Sequence, residues 1–158
     1  MQIKLLVMDV DGTLTDGKIY MGANGELMKA FDIKDGCGIK DILPTLGIIP
    51  VIITARLSQI LENRCKELNI KEVHQGIRNK LDKLDDICKA YGVSQSETAY
   101  IGDDILDLQC MKPIKAAGGI IGCPADAVNA VKEVADFVAE KRGGEGAVRQ
   151  FIEFLGAK

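Results

Sequence analysis

The chain has 158 residues, 47% apolar and 27% charged, a balance that fits one soluble globular domain with a sizeable core. A net charge of −3 leaves no basic field for nucleic acid, and 4% aromatic content without tryptophan leaves no stacking platforms for single strands. The five cysteines are scattered and form no C-x-x-C pair, which argues against a disulfide framework or a thiolate zinc site and predicts reduced thiols; Cys37, in a Gly-rich loop, is the one set apart. With no apolar run of membrane-spanning length and no signal-peptide pattern, the expected location is the cytoplasm.

In chain order, Leu5-Leu6-Val7-Met8 is an apolar run that enters Asp9-Val10-Asp11-Gly12-Thr13. Such a run reads as a buried, central parallel strand, and residues two apart on a strand leave it in the same direction. Two carboxylates gathered at a strand end repel one another unless a cation or a proton lies between them, so the pattern predicts a metal site, an acid/base pair, or both. Asn24-Gly25 between Ile19-Tyr20-Met21 and Leu27-Met28 predicts a hairpin over about residues 17–32. An isolated hairpin is marginal in water, so its apolar side chains point to self-association.

A short helix is expected over Ile39–Leu43, ended or kinked by Pro44. Ile48–Thr54 reads as the second buried strand, and Ser58 caps a helix over residues 59–68. Val73–Gln75 is a short strand, followed by a helix over about residues 80–91 with Gly92 as its C-cap. Thr98–Ile101 repeats the opening design and runs into Asp103 and Asp104, with Asp107 one helical turn on. Ile114–Ala117 is expected to be the last strand, then a helix over Ala125–Val134, the pair Phe137-Val138, a Gly-rich segment over about residues 141–146 and a terminal amphipathic helix. This alternation predicts a single α/β domain over residues 1–158, a three-layer Rossmann-like sandwich with a mainly parallel sheet, a hairpin insertion after the first strand and no cap domain.

If the strands are parallel, Asp9, Asp11, Thr54, Lys80, Asp103 and Asp104 share one edge of the sheet. Mg2+ takes carboxylate and phosphate oxygens, and Asp9 and Asp103 supply the former. Thr54 and Lys80 donate to phosphate oxygens. With the dianion neutralised, Asp9 is placed as the nucleophile of an aspartyl-phosphate and Asp11 as the group that protonates the leaving alcohol and then takes a proton from water. The remaining groups have plainer readings: Asp104 orients Lys80 or metal-bound water, Asp107 lies in an outer layer or in solvent, His74 is structural, and Arg142 and Arg149 are solvated charges or substrate contacts.

Asp9-Val10-Asp11-Gly12-Thr13, Thr54, Lys80 and Gly102-Asp103-Asp104 resemble, in order, the four motifs of the haloacid dehalogenase-like phosphohydrolases. The hairpin after the first motif, Lys34-Asp35-Gly36, Gln75-Gly76 and Glu140–Gly146 further resemble the cap-less 3-deoxy-D-manno-octulosonate 8-phosphate (KDO 8-phosphate) phosphatases of lipopolysaccharide precursor synthesis. The resemblance implies a Mg2+-dependent phosphatase in which Asp9, the Asp11 backbone carbonyl and Asp103 hold the metal. It implies that Thr54, Ala55, Arg56, Lys80 and Arg142 bind substrate. It also implies a homotetramer with central hairpins, a neighbouring subunit as the lid, and the Gly-rich segment near that neighbour's site. Arg56 favours the octulosonate, since relatives acting on nine-carbon acids such as N-acylneuraminate 9-phosphate carry Glu there; Ala55 departs from the usual Gly. A nine-carbon substrate and a non-catalytic oligomerisation module are the competing readings.

Overall fold

The structure, a computed structural model, describes residues 2–158. In chain order the strands are β1 (Leu5–Met8), β2 (Tyr20–Gly22), β3 (Gly25–Met28), β4 (Ile49–Ile53), β5 (Glu72–His74), β6 (Thr98–Ile101), β7 (Ile120–Cys123) and β8 (Phe137–Val138). The helices are α1 (Ile33–Cys37), α2 (Leu43–Leu46), α3 (Gln59–Glu67), α4 (Lys80–Tyr91), α5 (Leu108–Ala117), α6 (Asn129–Val134) and α7 (Ala147–Gly156).

All of β1 is buried because both of its faces are covered. Leu5 and Val7 join the core packed under α4, α5 and α6, whereas Leu6 and Met8 join the one packed under α3 and α7. This is the period-two alternation of a strand in the middle layer of three. β1 is flanked by β4 and β6, and the sheet runs β5-β4-β1-β6-β7-β8 with every neighbouring pair parallel. The chain builds outward from β1 through β4 to β5, then returns to β6 on the other side. The reversal opens a crevice at the carboxyl ends of β1 and β6, the usual ligand position of such sheets. The α/β sandwich and mainly parallel sheet read from the sequence are therefore present.

Several boundaries differ from the expectations. Ile114–Ala117 is not a strand but the last turn of α5, closed by Gly118 in the left-handed region at φ 96°. The strand lies further on, at Ile120–Cys123, where Gly122 interrupts the apolar pattern. A Cβ on Gly122 would lie 2.6 Å from Phe151 Cδ2, so the missing side chain admits the ring of α7 against the sheet. Pro44 does not end a helix. Helical backbone runs from α1 through a π turn at Gly38–Ile42 into α2, with Leu43 N donating to Gly38 O five residues back. That widened turn places Pro44 at the start of α2, where no N–H is needed. The α6 helix starts at Asn129 rather than Ala125 because Ala125 N donates to Lys141 O and Val128 N to Asp103 O.

The hairpin stands outside the main sheet as a two-stranded unit. Gly22 faces Gly25, so the turn residues are Ala23 and Asn24, and Gly25 opens the returning strand rather than completing the turn. At the other end of the chain, the Gly-rich segment is seated on the loop that follows β1. Gly144 N donates to Thr13 O at 3.1 Å, and a Cβ on Gly143 would collide with Gly12 O. No helix among the described residues is long and apolar enough to cross a membrane.

Candidate active site

The loop after β1 carries Asp9 to the crevice and is closed by Thr13, Leu14 and Thr15 N–H groups, which all donate to Val10 O. Gly12 takes φ +86°, and a Cβ there would collide with Asp103 Oδ2, so only glycine lets this loop meet the loop after β6. Thr13 Oγ1 donates to Asp103 Oδ1 at 3.1 Å, joining the two loops directly.

Lys80 opens α4 behind a side-chain cap from Asn79 and reaches into the same space. Its Nζ lies 3.0 Å from Asp9 Oδ1 and 2.8 Å from Asp107 Oδ1, and the side chain is almost wholly buried. Burial alone would lower the Lys80 pKa, but the charges of Asp9 and Asp107 outweigh it and hold the ammonium charged. Asp107, with 1% exposure, has both oxygens committed. Oδ1 accepts from Lys80 and from Tyr100 OH, and Oδ2 accepts from the backbone N–H groups of Asp103 and Asp104.

Carboxylate oxygens of Asp9, Asp103 and Asp107 lie within 4.8 Å of one another. Burial, followed by the charge of Asp107, pushes the Asp9 carboxyl above the usual carboxylate range, and Lys80 offsets only part of this. Burial also raises Asp103, with the charges of Asp9 and Asp107 adding to it. Carboxylates gathered this closely repel one another unless a proton or a cation lies between them, and a divalent cation serves that purpose. Because Asp107 is already saturated, Asp9 and Asp103 are the side chains that fit a hard cation.

Asp11 takes a different direction. Its Oδ1 accepts from Lys29 Nζ at 2.7 Å, and its Oδ2 lies 4.0 Å from Arg56 Nε. Lys29 follows β3, so the hairpin reaches back over the site from its own chain. Thr54, Ala55 and Arg56 follow β4 and line, with Asp9, Asp11, Lys80, Asp103, Asp104 and Asp107, a cleft of about 190 Å3. The arrangement offers a carboxylate nucleophile, a cation position, a buried ammonium and a second carboxylate set off to one side.

No protein-family model matches the chain. The KDO 8-phosphate phosphatase KdsC of Escherichia coli K12 is 41% identical over 153 residues, covering 97% of this chain and 79% of that relative. The family is thereby decided. The chain belongs to the KDO 8-phosphate phosphatases. Among solved structures, the cobalt-bound deoxy-D-mannose-octulosonate 8-phosphate phosphatase of Haemophilus influenzae superposes with TM-score 0.90 at 40% identity, covering 98% of this chain and 87% of that one. The Moraxella catarrhalis KDO 8-phosphate phosphatase, in complex with magnesium, phosphate and KDO, superposes with TM-score 0.89 at 39% identity, covering 97% and 85%.

Within this KDO 8-phosphate phosphatase family member, most residues singled out from sequence share one cleft, but some stand apart. Arg142 is 65% exposed, lies 3.6 Å from Asp126 Oδ2 and does not line the cleft. Arg149 pairs with Glu153 in the same way, on α7. His74 bonds to Glu72 at 2.8 Å, a structural partner. Asp104 caps the turn before α5 through Ile105 N, so the orientation of Lys80 falls to Asp107 instead. The sequence reading missed Tyr100, Glu26 and Lys29 as members of the site. Asp107 carried a signal, one helical turn after Asp104; Lys29 and Glu26 carried none beyond their place on the hairpin.

Proposed function

We propose that this chain hydrolyses KDO 8-phosphate with Mg2+ through an aspartyl-phosphate. The observation that carries the reading is the convergence of Asp9, Asp103, Thr54 and Lys80, from the ends of β1, β6 and β4 and the start of α4, on one cleft. Asp9, Asp103 and the Asp11 backbone carbonyl would hold the metal, which supplies positive charge opposite the phosphate dianion.

Thr54 donates its hydroxyl, and Lys80 its ammonium, to phosphate oxygens. Asp9 then forms a bond to phosphorus as the bond to the sugar oxygen breaks, and Asp11 gives that oxygen its proton. In the second half, Asp11 takes a proton from water as the water oxygen attacks phosphorus, which releases inorganic phosphate and restores Asp9. Arg56, about 40% exposed at the rim, presents a guanidinium to the substrate carboxylate. The same reading takes the protein as a cytoplasmic homotetramer in which a neighbour covers each cleft, in line with Ile19, Met21, Leu27 and Met28 exposed on the hairpin.

Phosphate release from KDO 8-phosphate and from N-acylneuraminate 9-phosphate, each with Mg2+ and with chelator, tests the proposal. The expected result is Mg2+-dependent turnover that favours the octulosonate and is abolished by Asp9→Asn. Equal, poor turnover of both sugars would sink the substrate assignment, and an active Asp9→Asn variant would sink the nucleophile.

A further inference from the structure

We propose that Lys29 is a positioning residue for the proton-transfer carboxylate of Asp11, an inference that rests on reading the cleft as an aspartyl-phosphate phosphatase. The side chain of Lys29 is 4% exposed although it belongs to a hairpin whose apolar side chains lie open to solvent. Its Nζ lies 2.7 Å from Asp11 Oδ1 and 3.0 Å from Glu26 Oε2. Glu26 is itself anchored, accepting from Ser58 Oγ at 2.6 Å through its other oxygen. Ser58 N in turn donates to Gln75 Oε1 at 2.7 Å, so the line of contacts runs from Asp11 through the hairpin to the loops after β4 and β5. Arg56 Nη2 stands 3.8 Å from Glu26 Oε2 on the outer side.

This arrangement solves a local problem. Three carboxylates already crowd the end of the sheet, and a fourth turned the same way would add repulsion and compete for the cation. The ammonium of Lys29 draws Asp11 out of that group and fixes one oxygen, leaving the other without a hydrogen bond among the described residues, 4.0 Å from Arg56 Nε at the cleft. Stability gives a poor account of Lys29, since a buried ion pair is seldom better than an apolar side chain of similar length. A fixed carboxylate direction matters for proton transfer, which requires the acid within hydrogen-bond reach of the leaving oxygen. Lys29 does not line the cleft and acts through Asp11.

A change of leaving group separates this role from a merely structural one. p-Nitrophenolate departs without a proton, whereas a sugar alkoxide needs one, and kcat/KM reports the transfer to Asp9. For Lys29→Met we expect kcat/KM to fall at least about tenfold on alkyl phosphates and less than about threefold on p-nitrophenyl phosphate, within the usual worth of general acid catalysis. Lys29→Arg restores part of the loss. If Lys29→Met does not fold, Glu26→Gln, which removes the rear anchor, should show the same leaving-group dependence in weaker form. Equal losses on both substrate classes, or loss on neither, overturn the proposal. Wild-type enzyme that cleaves alkyl phosphates but not KDO 8-phosphate defeats the substrate assignment alone, and the alkyl-to-aryl ratio still decides Lys29. Wild-type enzyme without any Mg2+-dependent phosphatase activity defeats both.

Discussion

Lys80 is the residue on which the charges of the site balance. It is the ammonium between Asp9 and Asp107, and Tyr100 OH, 3.5 Å away, completes its surroundings. Lys80→Met leaves two buried carboxylates facing one another and should cost about 3 kcal/mol, the usual penalty for breaking a buried ion pair from one side. Urea unfolding in the absence of divalent metal measures it, and an unchanged midpoint would contradict this electrostatic account. Asp9, Thr54, Lys80 and Asp103 are legible in the sequence because each sits at the end of an apolar run or the start of a helix, where a parallel sheet collects them. Asp107 and Tyr100 are harder to read. Their importance comes from distances across the fold, Tyr100 OH to Asp107 Oδ1 at 2.6 Å being one, and a strand residue that is apolar in pattern gives no hint that its hydroxyl is used.

Among the elements, α7 depends on a residue from another helix. Its N-cap is Gly146, which has no side chain to offer, and Arg149 N donates instead to Asp35 Oδ1 at 2.8 Å. Asp35 is 2% exposed, and burial raises its pKa from 3.8 to about 6 against the opposing hydrogen bond from Arg149 N. The folded protein therefore holds this proton more tightly than the unfolded chain, so the associated stability is complete below pH 3.8 and is lost as pH rises to about 6. At about 1.4 kcal/mol per pKa unit, the whole effect is about 3 kcal/mol at most. Asp35→Asn keeps an acceptor for α7 and removes the titration. Paired thermal melts at pH 7 and pH 5 should show the wild type gaining on the variant at the lower pH, and a constant gap between them would contradict the assignment. The helices themselves follow from periodicity, and α4 and α3 lie close to their expected spans. The elements misplaced from sequence are those whose limits depend on distant groups: β7 on the Phe151 ring that fills the space at Gly122, and α6 on backbone donors drawn away to Lys141 and Asp103.

For the whole molecule, the hairpin is the surface left unfinished. It pairs with no strand of the main sheet, and Ile19, Met21, Leu27 and Met28 are each at least half exposed. Apolar side chains concentrated on one small unit fit the association surface that the proposed tetramer needs. Met21→Asp combined with Leu27→Asp should convert the proposed tetramer to smaller species in sedimentation while leaving secondary structure intact. It should also lower turnover if a neighbour completes the cleft; an unchanged sedimentation coefficient would remove the hairpin from the assembly. The proposed positioning of Asp11 by Lys29 is a separate task of the same hairpin within its own chain, so the double variant leaves Lys29 and Glu26 in place.

The seat of Gly143 and Gly144 on the loop after β1 has a consequence for the order of biosynthesis. β1 leaves the ribosome well before Gly143 and Gly144, yet the loop beyond it takes backbone support from them. Parallel partners β4 and β6 also arrive late relative to β1, and contacts so distant in sequence form slowly. A nascent chain that has passed Asp107 but not yet reached Gly143 holds all the acidic residues of the cleft without the clamp on the loop after β1. Competence for phosphoryl transfer should therefore appear only once Gly143 and Gly144 have been made and have closed on the loop after β1.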